Sequence, residues 1–222
     1  MELRLIFNAA IFSLVSMASF SCIEQKKQKK NMNDELADAQ VITEGLDTAT
    51  FGTGCFWCTE AIFQRLKGVT KVTSGYSGGT IGNPTYEEVC KGTSGYAEVC
   101  QVVYDPATIS YDELLKVFWK VHDPTTLNRQ GNDVGPQYRS VIFYHSDDQK
   151  EKAEHYKEEL NKIEAYNSPV VTAVEPYSNF YAAEDYHQNY YNENGGQAYC
   201  HFVIQPKIKK FEEVFRDKLK TF

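Results

Sequence analysis

A single α/β layered domain is the fold that this sequence predicts. Strand-like and helix-like patterns alternate from residue 48 onward, and the breaks between them carry glycine turns, prolines or helix caps. A chain of 222 residues holds one sizeable core and is too short for two ordinary ones. Hydrophobic residues at 42% and charged residues at 24% place it among globular proteins. The formal charge of −7 disfavours nucleic-acid binding, because the cationic surplus that neutralises phosphates is missing.

The first residues stand outside the fold. Ile6 to Phe20 is almost wholly apolar, the length of a signal-peptide core and short for a membrane span. It runs through Ser19-Phe20-Ser21 into Cys22, like a bacterial lipobox, so residues 1–22 are expected to be a signal peptide whose Cys22 is lipidated. An exported, membrane-anchored lipoprotein follows, with a cleaved secretory signal and periplasmic release as the alternative. Residues 23–47 are polar and without period, with four lysines in Lys26-Lys27-Gln28-Lys29-Lys30, and read as a disordered tether to a domain spanning 48–222.

Within the domain, residues 48–54 read as a strand entering a glycine turn. Residues 55–66 read as a helix with Ile62, Phe63 and Leu66 on one face, closed by Lys67-Gly68. Residues 69–76 are β-like and stop at Ser77-Gly78-Gly79. In 97–104 alternation puts Glu98, Cys100, Val102 and Tyr104 on one face, and Asp105-Pro106 ends the strand. Ser110 with Glu113 forms a capping box ahead of Leu114, Phe118 and Val121. Residues 138–145 form a strand, and Ser146 with Gln149 opens a second capped helix carrying Ala153, Tyr156, Leu160 and Ile163. Residues 170–175 form a strand before Pro176; beyond it the chain is Tyr- and Asn-rich and irregular until 202–204 and a terminal helix.

Chemistry concentrates at Gly54-Cys55-Phe56-Trp57-Cys58. A cysteine between a strand, a glycine turn and a helix start meets unpaired N–H groups and the helix dipole, which favour a thiolate and hence a nucleophile. The two aromatics beside it offer an apolar wall to a small apolar group. A structural cysteine among core aromatics remains the competing reading, as does a redox C-x-x-C made by Cys55 and Cys58. Zinc is poorly supported, since no second C-x-x-C exists and the five histidines lack ligand spacing.

Six blocks in order carry a further signal: GCFWCTEAIF (54–63), GYSGG (75–79), NPTYEEVC (83–90), GYAEV (95–99), HDPTTLNRQGNDVGPQYRS (122–140) and AEDYHQNY (183–190). Together they resemble the peptide methionine sulfoxide reductase A family over about residues 48 to 214. The resemblance implies a two-layer α/β sandwich with a mixed, ferredoxin-like sheet and an irregular C-terminal segment. It implies reduction of methionine-S-sulfoxide, free or in proteins, with a thioredoxin-like reductant, no cofactor and no metal, by a monomer. Cys55 matches the family nucleophile and Phe56 and Trp57 the cage for the substrate methyl. Glu98 matches the proton donor, Tyr86 and Tyr138 the phenols on the sulfoxide oxygen, and Asp133 an active-site carboxylate. Burial on a strand would raise the Glu98 pKa and suit it to an acid role.

The family reaction leaves a sulfenic acid on Cys55, which a second thiol converts to a disulfide. Cys200, after the glycine-rich 192–196, resembles the resolving position; Cys58 is the alternative. Cys90 and Cys100 read as inert core thiols. Tyr96 stands where the family usually has His, Ala198 where Pro or Gly is common, and no later cysteine follows Cys200. The rival function is a thiol–disulfide oxidoreductase built on Cys55 and Cys58.

Overall fold

The computed structural model describes residues 45–221; the signal, Cys22 and the tether to residue 44 lie outside them. β1 (Asp47–Thr53) opens on Asp47, one residue earlier than expected, and runs through the middle of a mixed six-stranded sheet of order β7-β6-β1-β3-β2-β8. Its neighbours are β3 (Ala97–Tyr104) and β6 (Ser140–Tyr144), both antiparallel to it. β2 (Val69–Ser77) lies antiparallel to β3, and β7 (Ala173–Pro176) lies parallel to β6. The two-residue β8 (Tyr181–Ala182) closes the far edge on β2.

Period-two alternation sorts side chains to the two faces. From β3, Cys100, Val102 and Tyr104 join the main core beneath the helices, while Ala97 and Val99 join Val141 and Phe143 in a smaller cluster covered by Tyr177 and Phe180. α1 (Phe56–Phe63) follows β1 directly, and seven of its eight residues are buried. The one-turn α2 (Tyr86–Cys90) starts from a Thr85–Glu88 capping box. α3 (Tyr111–Val121) has the expected Ser110–Glu113 box and buries Leu114, Leu115 and Phe118. α4 (Asp147–Lys162), N-capped by Ser146 onto Gln149 N–H, makes the crossover between the parallel pair β6 and β7.

Three expectations need correction. Tyr138 ends a 3-10 turn (Pro136–Tyr138) ahead of β6 rather than starting a strand, because Pro136 fixes a turn φ and brings no N–H to the ladder. β7 starts later than residue 170 and includes Pro176, tolerated at the end of an edge strand. Cys90 is exposed, because α2 spans barely one turn and Val89 takes its buried position; Cys100, by contrast, is fully buried as expected.

Between β3 and β6 lies a hairpin of β4 (Arg129–Gln130) and β5 (Asp133–Val134), turning on Gly131-Asn132. After β8 come a 3-10 turn (Asp185–His187), α5 (Tyr190–Glu193), a π turn (Cys200–Ile204) and α6 (Gln205–Val214). Among the described residues no helix is long and apolar enough to cross a membrane.

Candidate active site

Cys55 sits at the joint between β1 and α1, as the N-cap residue of the helix rather than within it. Gly54 makes the joint possible. Its φ is +97°, and a Cβ there would lie 2.6 Å from the Cβ of Gln130, so both backbone and space exclude larger residues. Cys55 is 7% exposed, and burial drives its thiol pKa well up, with Cys58 and Glu98 pushing the same way. The acidified thiol expected at the helix start is found one turn on. Cys58 is lowered to about 7, first by the hydrogen bond from Cys55 and then by Lys207, against the cost of burial.

Glu98 enters from β3, 1% exposed, on the face that alternation assigns to it. Its Oε2 accepts the Phe56 N–H at 3.0 Å, so the first amide of α1 orients the carboxyl beside the thiol. Burial raises its pKa to about 8; the Phe56 hydrogen bond opposes this, and Asp133 and Cys58 add to it. The group is therefore an acid at neutral pH, with Oε1 free of that amide bond. Tyr86, at the start of α2, and Tyr138, at the end of the 3-10 turn, are both half-buried in the field of Glu98. Burial first, and Glu98 with it, holds both phenols protonated.

The aromatic wall is larger than Phe56 and Trp57. Phe56 packs against His187 at 5.0 Å and Tyr76 at 5.9 Å between ring centroids. Trp57 stacks flat on Tyr190 at 3.6 Å, meets Tyr199 edge-on, and donates its Nε1–H to His187 Nδ1 at 3.2 Å. His187, Tyr190 and Tyr199 come from the irregular C-terminal segment, which is tied down by polar contacts. Glu60 of α1 accepts the Asn189 and Tyr190 N–H groups at 2.9 and 3.3 Å. Glu184 accepts the Tyr86 N–H and the Tyr76 hydroxyl, both at 2.9 Å. The Gln188 amide bonds both the N–H and the carbonyl of Ser74, as a neighbouring strand would.

Asp133 reaches the site from the β4–β5 hairpin and accepts the Tyr199 hydroxyl at 2.8 Å, which lies beside the Cys55 and Cys58 sulfurs. The same hairpin, Tyr199, Phe202 and Lys207 line a cleft of about 280 Å³. A larger cleft, about 600 Å³, lies between Trp119 and Tyr166 and includes no residue of the thiol–carboxyl group, so size does not mark the chemistry here. Cys200 is fully buried in the π turn and feels Cys58 rather than Cys55. Tyr96 is directed elsewhere: its hydroxyl donates to the Ile81 carbonyl and its ring packs on Gly79.

Cys55, Phe56, Trp57, Cys58, Tyr86, Glu98, Asp133 and Tyr138 thus converge on one end of the sheet. Sequence reasoning missed Glu60, Glu184, His187, Tyr190, Tyr199 and Lys207. The AEDYHQNY block signalled three of them without indicating their contacts; for Lys207 the sequence held no signal. No group of three His, Cys, Asp or Glu side chains suited to a metal ion occurs among the described residues.

Residues 47–219 match the family model described as peptide methionine sulfoxide reductase. The peptide methionine sulfoxide reductase MsrA of Saccharolobus solfataricus is 53% identical over 175 residues, which cover 79% of this chain and 98% of that protein. The MsrA of Deinococcus radiodurans is 52% identical over 174 residues, covering 78% and 84%. Among solved structures, reduced Mxr1 of Saccharomyces cerevisiae superposes with a TM-score of 0.65 at 36% identity, covering 72% of this chain and 91% of that one. Methionine sulfoxide reductase A of Corynebacterium diphtheriae gives 0.62 at 37% identity, covering 68% and 76%.

Proposed function

The chain belongs to the peptide methionine sulfoxide reductase A family and reduces methionine-S-sulfoxide with thiols; from that premise we propose how its own residues perform the reaction. Phe56 and Trp57 take the substrate methyl, and the Tyr86 and Tyr138 hydroxyls donate to the sulfoxide oxygen. Cys55 attacks the sulfoxide sulfur while Glu98 delivers its proton to that oxygen, and the Cys55 proton passes to Glu98. The attack joins the two sulfurs; the protonated oxygen then passes from the substrate sulfur to the Cys55 sulfur, so that the substrate's sulfur–oxygen bond and the sulfur–sulfur bond break, a Cys55 sulfur–oxygen bond forms as the sulfenic acid, and the thioether product leaves. Asp133 fixes the Tyr199 hydroxyl beside the reacting sulfur.

The observation that carries this reading is the Glu98 carboxyl, buried, anchored by the Phe56 N–H and held in its acid form up to about pH 8. A carboxylate would give the developing oxyanion no proton; a buried acid supplies one without waiting for solvent. The test is single-turnover release of methionine by the full chain from each sulfoxide epimer. One equivalent from the S epimer and none from the R epimer is expected, and equal release from both would overturn the assignment.

The cycle closes through an intramolecular disulfide, with Cys200 matching the family's resolving position and Cys58 adjacent in space. A thioredoxin-like dithiol would then restore the thiols. We also propose export and lipid anchoring through Cys22, on the sequence pattern of residues 1–22 alone. Cys22→Ala should shift the protein from the detergent phase to the aqueous phase, and a wild type already in the aqueous phase would refute the anchor.

A further inference from the structure

Three clefts run into one another from the thiols outward. The first, lined by Asp133, Tyr199, Phe202 and Lys207, opens beside Cys58, whose sulfur lies 3.7 Å from the Lys207 Nζ. Gln130 and Lys207 also line a second cleft of about 300 Å³, walled by His122, Lys210 and Phe211. Lys120, His122, Asp123 and Lys210 carry that one into the cleft of about 600 Å³ between Trp119 and Tyr166. Together they form a groove that leads away from the active site between α3 and α6, which pack against each other.

The charge of this groove is opposite to that of the chain. α3 supplies Lys116 and Lys120, four residues apart and so on one face; α6 supplies Lys207 and Lys210, three apart. Among the described residues none of the four enters an ion pair. The acids at helical spacing from Lys116 are engaged elsewhere, Asp112 with Lys152 at 3.5 Å and Glu113 with Lys218 at 2.5 Å. Two carboxylates line the groove, and both accept bonds from their own surroundings. Asp123 takes the Thr125 N–H and hydroxyl, and Asp133 the Tyr199 hydroxyl. Four cations thus face two anions in a chain whose net charge is −7. Like charges at these helical spacings repel each other, a cost that an anionic occupant relieves.

Resting on the sulfoxide-reductase reading above, we infer that this groove binds the acidic flank of a polypeptide substrate, so that the enzyme favours methionine sulfoxide with Asp or Glu nearby in sequence. A methionine side chain seated against Phe56 and Trp57 leaves its own backbone at the mouth of the site, and one flank of the chain then passes over the first cleft. An extended chain advances about 3.3 Å per residue, so several successive side chains fall along the groove. Lys207 and Lys210 meet the carboxylates nearer the methionine, and Lys120 and Lys116 those farther out. At the far end Tyr156, Leu160 and Tyr166 add apolar surface for residues between the acids. A folded reductant presents a convex face that touches the rim of such a groove; an extended substrate follows its floor.

The experiment follows steady-state reduction of peptides by the full chain, with dithiothreitol as reductant. The peptides carry methionine-S-sulfoxide with a run of Glu on its N-terminal side, a run of Glu on its C-terminal side, or Gln at all those positions. One of the two acidic peptides is expected to show a KM about three- to tenfold below that of the Gln peptide, with similar kcat. Salt at about 0.5 M should remove the advantage by screening. Lys120→Met combined with Lys210→Met should remove it too, while turnover of free methionine-S-sulfoxide stays as in wild type; Lys120→Arg with Lys210→Arg should keep it. Equal KM values for all three peptides in wild type overturn the inference, as does an advantage that survives the double Met variant. A double Met variant altered only in its KM for a thioredoxin-like reductant gives the groove to the reductant and overturns it as well. Absence of turnover of free methionine-S-sulfoxide by wild type overturns the reductase reading beneath it.

Discussion

Cys55 and Glu98 are held by β1, α1 and β3, where Phe51, Ile62, Cys100 and Val102 have 0–1% exposure and regular hydrogen-bond ladders fix the backbone. Residues 183–214 reach the same site by other means. That stretch has little regular structure before α6, leaves Tyr186 and Phe202 exposed, and is fastened by Glu60, Glu184 and Gln188. The reacting atoms are therefore placed by apolar packing, whose cost of rearrangement is spread over many contacts. Their surroundings, Tyr190 and Tyr199 included, are placed by a few polar bonds that one substitution can remove. Damage to the first region should appear in the chemical step, and damage to the second in binding, recycling and local stability.

The sharpest way to break this contrast is Cys55→Ser, which should abolish methionine release, because a serine hydroxyl at neutral pH is a far weaker nucleophile than a thiol. Measurable single-turnover release from that variant would move the chemistry off the rigid region. Glu98→Gln comes next and should slow the chemical step by about 10²–10⁴-fold, the range for a lost general acid, with little change in substrate affinity. The same carboxyl sets a pH limb. Its acid form is the active one and its pKa stands near 8, so the single-turnover rate should fall as pH rises through about 8, and in Glu98→Gln that limb should vanish.

Glu60→Gln probes the fastening instead. The amide would turn an NH₂ toward either the Asn189 or the Tyr190 N–H, a loss of about 1–3 kcal/mol for a buried donor left unpaired. Denaturant unfolding should register that loss, and limited proteolysis should cut near residues 189–199 more readily than in wild type. KM should rise more than kcat falls; the reverse pattern would show that the segment governs chemistry after all. The smallest effect belongs to Lys218→Met, which removes the Glu113–Lys218 pair at 2.5 Å. The pair is partly solvated, so the loss should be below about 1 kcal/mol at neutral pH. Lys218 first, with the Ser110 N–H, pulls the Glu113 carboxyl down to about 2. Its stabilisation is thus present above the ordinary carboxylate range and fades as pH falls toward 2, where wild type and Lys218→Met should converge in stability.

The same division explains how far the site could be read from the sequence. Cys55 was legible because a strand, a glycine and a helix meet there; strand alternation assigned only the face of Glu98, whose acid role, like the roles of Tyr86, Tyr138 and Asp133, was legible only through the resemblance of the motif blocks to a known family. Helix starts at Ser110 and Ser146 were legible from side chains that bond N–H groups three residues away. Tyr138 was misassigned to a strand because its apolar neighbours 141–143 outweighed the turn signal of Pro136. Cys90 was misplaced because a one-turn helix has too little period to show its buried side. Tyr199 and Lys207 were out of reach: their partners are about 66 and 149 residues away in the chain, and no local pattern encodes such pairings.

The edges of the sheet have a consequence for an enzyme that must approach damaged polypeptides. A partly unfolded polypeptide carries unpaired backbone groups that can join an exposed strand. On one side of this sheet it meets β7, four residues long and ended by a proline that has no N–H to offer; on the other it meets the two-residue β8, which covers Gly75 and Tyr76 of β2, and the Gln188 side chain bonded to Ser74. The β7 edge is too short to template a growing cross-strand assembly, and the stretch of β2 that β8 leaves uncovered, Val69 to Thr73, carries Lys71, a charge that opposes strand addition. A methionine sulfoxide reductase with edges so shortened and charged can take an extended peptide at its thiol without offering the chain a strand to grow on.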